Sequence, residues 1–130
     1  MSDKTLKLTK LFLFLVALHS FLVGILLIFL PVNIIEIFGF QPYTQNFFRA
    51  QGGVFHIVMC FAYFMAGLNP LKYASLLQFS FTAKFTGFVF LILYYLIVNQ
   101  ITLILLSGVA DLLMGIVIFL LYQKLKQVNI

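Results

Sequence analysis

Four apolar stretches, at about 11–30, 47–67, 75–98 and 101–122, take up most of this chain of 130 residues. Each matches the roughly 20 residues that a helix needs to cross a hydrocarbon layer of about 30 Å at 1.5 Å per residue. Only 8% of the residues are charged, against about a quarter in a soluble domain. A soluble fold would leave most of this surface without polar cover, so that class is discarded. The expectation is an all-α polytopic membrane protein. Its 130 residues leave room for one domain, built as four transmembrane helices in an antiparallel bundle.

The formal net charge of +5 is explained by where the lysines stand. Lys4, Lys7 and Lys10 precede the first run, Lys72 lies between the second and third, and Lys124 and Lys126 follow the fourth. With four spans these regions share one side, and the positive-inside rule makes that side the cytoplasm. The expected placement is a multi-pass protein of the cytoplasmic (inner) membrane, with both termini inside and membrane lipids as partners. No nucleic-acid site is needed to account for the charge. The first run is too long for a secretory h-region and no A-x-A-like site follows it, so it reads as an uncleaved span. Cys60 is the only cysteine, which rules out an internal disulfide.

Pro31 ends the first run, and 31–45 is the only sizeable loop, expected outside. Asn33 and Glu36 have the spacing of a capping box. Ile34, Ile35, Ile37, Phe38 and Phe40 add apolar bulk, with Gly39 and Pro42 as stops. A short interfacial helix that plugs the top of the bundle is expected here. Residues 68–72 make an inner turn and Asn99-Gln100 a tight outer one. Tyr43, Tyr94 and Tyr95 mark the outer interface, and Tyr73 and Tyr122 the inner one.

Residues three or four apart share a helix face. One stripe joins Arg49, Gly52, Gly53, His56, Cys60, Tyr63 and Gly67. A second joins Ser80, Lys84, Gly87 and Tyr94, and a third Gly108, Asp111, Gly115 and Tyr122, with Ser107 beside it. The first span has a small-residue face of Ala17, Ser20 and Gly24, with His19 at its edge. Small residues let spans approach closely, and polar ones hydrogen-bond across them. Lys84 and Asp111 need more than that, because a charge at the bilayer centre costs about 2.5–3.5 kcal/mol on insertion scales. Counting from the span ends, they lie roughly 13 and 15 Å deep from opposite sides. Both are near the midplane, within reach of each other if the 98–101 turn is tight. A buried ion pair that fixes helix register is one reading; a binding or proton-handling site is the other.

The candidate ligand-binding set is Arg49, Gln51, His56, Lys84, Tyr94 and Asp111, with Arg49 near the outer mouth. His19 and His56 would sit one turn apart in depth, a poor match for bis-histidine haem. There is no G-x-S-x-G, no H-E-x-x-H, no cysteine–histidine metal spacing and no phosphate-cradling glycine loop. No enzyme, no metal and no resident cofactor are expected, haem being the group the residues leave open.

Three segments resemble small bacterial four-helix membrane proteins of the DoxX-like type. They are Phe29-Leu30-Pro31 with Ile37-Phe38-Gly39, the run from Asn46 through Arg49 to Gly53, and Gly108-Val109-Ala110-Asp111. The resemblance implies a four-helix bundle with Arg49 and Asp111 facing its interior. DoxX proper is associated with quinone-linked redox complexes, which adds a quinone to the lipid as a possible ligand. Four-span multidrug exporters are similar in size but carry a glutamate in the first span, where this chain has only His19. Two functions are therefore expected in competition. One is a non-enzymatic accessory or assembly subunit with an outward-facing polar pocket for a lipid or quinone, in a homo-oligomer or larger membrane complex. The other is a small proton-coupled transporter using Lys84, Asp111 and His56.

Overall fold

The structure is a computed structural model that describes residues 3–128, with Val128 described by its backbone alone. It contains five helices: α1 (Asp3–Phe29), α2 (Val32–Ile37), α3 (Phe47–Leu68), α4 (Ala74–Ile97) and α5 (Thr102–Val128). No strand occurs among the described residues. All but α2 are long and apolar enough to cross a membrane. Helices α1 and α3 pack along much of their length, and so do α4 and α5. Contacts of α1 with α5 and of α3 with α4 are much narrower. The bundle is thus up-and-down, made of two close hairpins joined along a thinner seam.

The outer helices are longer than the apolar runs suggest. α1 starts at Asp3 rather than near Leu11, because no glycine or proline interrupts the lysine-bearing turns. Asp3 pairs with Lys7 one turn on, at 2.6 Å, and the Thr9 hydroxyl donates to the Thr5 carbonyl at 2.8 Å. α5 runs past Tyr122 to Val128, carried by Leu125, which is buried in the core. The basic residues of both termini therefore stand on helical turns. The inner helices shift by a single residue from the sequence expectation: α3 ends at Leu68, and α4 spans Ala74–Ile97.

The capping box at Asn33 and Glu36 does not form. Pro31, at φ −59°, starts α2 two residues early, so Asn33 lies inside the helix and no side chain caps it. Pro is pre-set for this role at a helix start. Gly39 takes φ +93° just past the helix end, a conformation that favours glycine. No residue of α2 is buried, and Ile37 is 77% exposed. Six residues are too few to present one sustained apolar face, so α2 lies on the surface and does not plug the bundle.

Glycines set the hairpin spacing where the helices cross. A Cβ on Gly24 would stand 2.7 Å from the Gly53 carbonyl oxygen, and one on Gly53 2.6 Å from that of Gly24. α1 and α3 thus touch backbone to backbone, as small residues permit. Gly52 meets nothing within 4 Å, so the adjacent glycine lies off the contact. The apolar core, including Leu13, Ala17, Ala66, Leu77, Ile118 and Leu125, fills the half of the bundle nearest the termini. Polar side chains take over at mid-height.

Candidate functional site

The second hairpin carries the charges. Lys84, midway along α4, donates from Nζ to Asp111 Oδ1 on α5 at 2.6 Å. Lys84 is 4% exposed and Asp111 17%. Glycines on both helices make the room. Gly87 lies three residues beyond Lys84 on the same face, and a Cβ there would sit 2.5 Å from Asp111 Oδ2. Gly115 lies four residues beyond Asp111, where a Cβ would meet Lys84 Cβ at 3.2 Å. Ser80 is fully buried but spends its hydroxyl on the Leu76 carbonyl at 2.6 Å.

The first hairpin contributes neutral polar groups at the same level. Ser20 Oγ donates to the His56 carbonyl at 2.9 Å and lies 3.4 Å from His56 Nδ1. Tyr63, two turns beyond His56 and 2% exposed, turns its ring to Lys84 Nζ at 5.5 Å from the centroid. An ammonium over an aromatic face is attracted by the ring quadrupole, and here that contact crosses the seam between hairpins. His56 is half-buried on α3. His19 is on the exposed side of α1.

Arg49 stands apart from this cluster. It lies in the first turn of α3, about two turns or ~10 Å along the axis from His56. Its Nη1 donates to the Leu30 carbonyl at 2.6 Å, placing a cation on the carbonyl end of α1, where the helix dipole favours one. The guanidinium carbon is 5.8 Å from the centre of the Tyr43 ring. Arg49 Nε and the Tyr43 hydroxyl are both buried and have no hydrogen-bond partner among the described residues.

The structure thus pairs Lys84 with Asp111, holds His56 against Ser20 in the other hairpin, and leaves the other three candidates elsewhere. Gln51 is exposed, off the buried face of α3. Tyr94 is 37% exposed and packs on Phe90, ring centres 6.0 Å apart. Tyr94 shares a stripe with Lys84, but standing ten positions further on it lies near the end of α4. Ser20 and Tyr43 were not in the candidate set. Ser20 lay within the small-residue face of α1; Tyr43 sits in a loop, where periodicity carries no signal.

Among the described residues, no three His, Cys, Asp or Glu side chains gather as a metal set. The chain matches no protein-family model, no curated protein and no solved structure. The likeness to DoxX-like proteins accordingly rests on the short segments quoted above.

Proposed function

We propose that the protein is a non-enzymatic accessory or assembly subunit of the inner membrane, related to DoxX-like proteins, with both termini in the cytoplasm. In this reading it takes the polar head of a lipid or quinone in a pocket that opens outward at Arg49. It works as a homo-oligomer or inside a larger membrane complex. The observation that carries the reading is the state of the charges at mid-height. Lys84 and Asp111 neutralise each other within one hairpin at 2.6 Å, and Lys84 is 4% exposed. A pair so placed fixes the register of α4 against α5. The one arginine, by contrast, has buried hydrogen-bonding capacity still unused at the far end.

A second reading, proton-coupled transport through Lys84, Asp111 and His56, is favoured by the half-buried place of His56 midway along α3. The two readings differ in what the purified protein does. Native mass spectrometry in detergent is expected to show a retained lipid or quinone, alone or with partner subunits. In liposomes, a transporter would move protons with its substrate and lose that flux in Asp111→Asn. Flux that depends on Asp111 would replace the accessory reading, and a bare monomer would remove both.

A further inference from the structure

The balance of charge at the far end of the bundle points to a particular head group. The chain has three carboxylates and eight basic residues. Asp3 is paired with Lys7 and Asp111 with Lys84, while Glu36 is exposed on α2 and forms no ion pair among the described residues. Six of the basic residues lie at the terminal end, and Lys84 is neutralised in place. Arg49 is therefore the one cation at the opposite end, and no carboxylate of the described residues balances it.

Its geometry is that of a held fork. The bond from Nη1 to the Leu30 carbonyl at 2.6 Å fixes one arm of the guanidinium. The Tyr43 ring lies at 5.8 Å from its central carbon. Arg49 Nε and the Tyr43 hydroxyl, two buried donors on neighbouring segments, remain without an acceptor. A buried donor left unpaired is costly, so an acceptor from outside the chain is favoured. The first-turn amides of α3, which no side chain caps, add positive potential on the same side. A planar fork and a phenol, with no carboxylate paired to the fork among the described residues, suit an oxyanion with several acceptor oxygens.

We infer that Arg49 and Tyr43 form a phosphate-binding clip at the outer end of the bundle. Its occupant is the phosphodiester of a phospholipid or a free phosphate. This rests on the pocket reading above and narrows it: the head group is a phosphate, and the quinone is excluded as its main ligand.

The test compares wild type with Arg49→Gln, Arg49→Lys and Tyr43→Phe by native mass spectrometry in detergent. Phosphatidylglycerol, diacylglycerol and a ubiquinone are supplied in turn, with and without excess inorganic phosphate. Wild type is expected to retain phosphatidylglycerol and release diacylglycerol. Arg49→Gln should bind it about tenfold or more weakly, as loss of a charge-assisted bond implies. Arg49→Lys should fall in between, because an ammonium keeps the charge but lacks the planar fork and its Nε–H arm. If Arg49→Gln fails to fold for want of its bond to Leu30, Arg49→Lys and Tyr43→Phe still decide the matter. Displacement of the lipid by inorganic phosphate would assign the clip to free phosphate. Equal retention by all four proteins, or a preference for diacylglycerol or quinone, would overturn the clip and leave the pocket reading intact. Wild type that retains none of them would overturn the pocket reading itself.

Discussion

Adjacent glycines in α3 make opposite predictions. Gly53 faces α1 and Gly52 faces open space, so Gly53→Ala and Gly52→Ala insert the same methyl into different surroundings. At Gly53 the new Cβ would lie 2.6 Å from the Gly24 carbonyl oxygen and 2.7 Å from Ile28 Cγ1. The side-chain carbon can move aside, but the carbonyl belongs to a helix. Carbon–oxygen contacts between close helices run about 3.3–3.6 Å, so α1 must retreat by roughly 0.7 Å at the crossing. A gap of that size forfeits a quarter to a half of each dispersion contact, at about 0.1–0.2 kcal/mol per atom pair. Over some thirty pairs around the crossing the loss is on the order of 1–2 kcal/mol, with a further 0.5–1 from weakened Cα–H···O contacts. Alanine's better helix propensity returns up to about 1 kcal/mol at either site. The net expectation is a loss of roughly 1–2 kcal/mol for Gly53→Ala, and a change of zero to +1 for Gly52→Ala. Unfolding of each variant in mixed micelles by SDS titration, followed by circular dichroism, measures both. If Gly53→Ala proves as stable as Gly52→Ala, the backbone contact between α1 and α3 is wrong.

The remaining predictions concern the charges and the topology. Breaking the ion pair from either side, with Lys84→Met or Asp111→Asn, should cost about 3–5 kcal/mol in the same titration. The double variant should cost far less than the sum, and additivity would refute the pairing. Gly87→Ala should lose about 1–3 kcal/mol by pushing the Asp111 carboxylate aside. It should lose much less in an Asp111→Ala background, where the clashing oxygen is gone. In a Cys60→Ala background, Gln100→Cys should react with an impermeant maleimide on intact cells while Lys72→Cys is protected. The reverse pattern would invert the proposed orientation.

Much of the fold is legible in the sequence because lipid imposes one length and one composition on each span. The long helices fall where the apolar runs do, and Lys84 is set opposite Asp111 by residue rise and a short turn alone. What could not be read are features decided by neighbours. Nothing in the order Gly52-Gly53 says which glycine meets α1, since adjacent residues differ by 100° around a helix. Asn33 and Glu36 have the spacing of a cap, but Pro31 moved the helix start and removed its geometry. The ends of α1 and α5 were missed because the lysines that mark a membrane boundary do not mark a helix boundary. The role of Tyr43 was hidden for a different reason: its place beside Arg49 depends on how a loop returns.

The division into two close hairpins bears on how the chain enters the bilayer. Lys84, Asp111 and the glycines that seat them all belong to the second hairpin, and Ser20 and His56 to the first. Each half therefore reaches the lipid with its most costly groups already matched, and the second half crosses as a unit of no net charge at its centre. The seam is left with the apolar core near the termini and the contact of Lys84 on Tyr63 to complete. Synthesis of the first hairpin need not wait for the second, and the order of events follows the order of the chain. Residues 1–70 and 71–130, produced as separate polypeptides, are expected to insert independently and co-purify. A second half that fails to insert alone would show that its ion pair forms only after the hairpins meet.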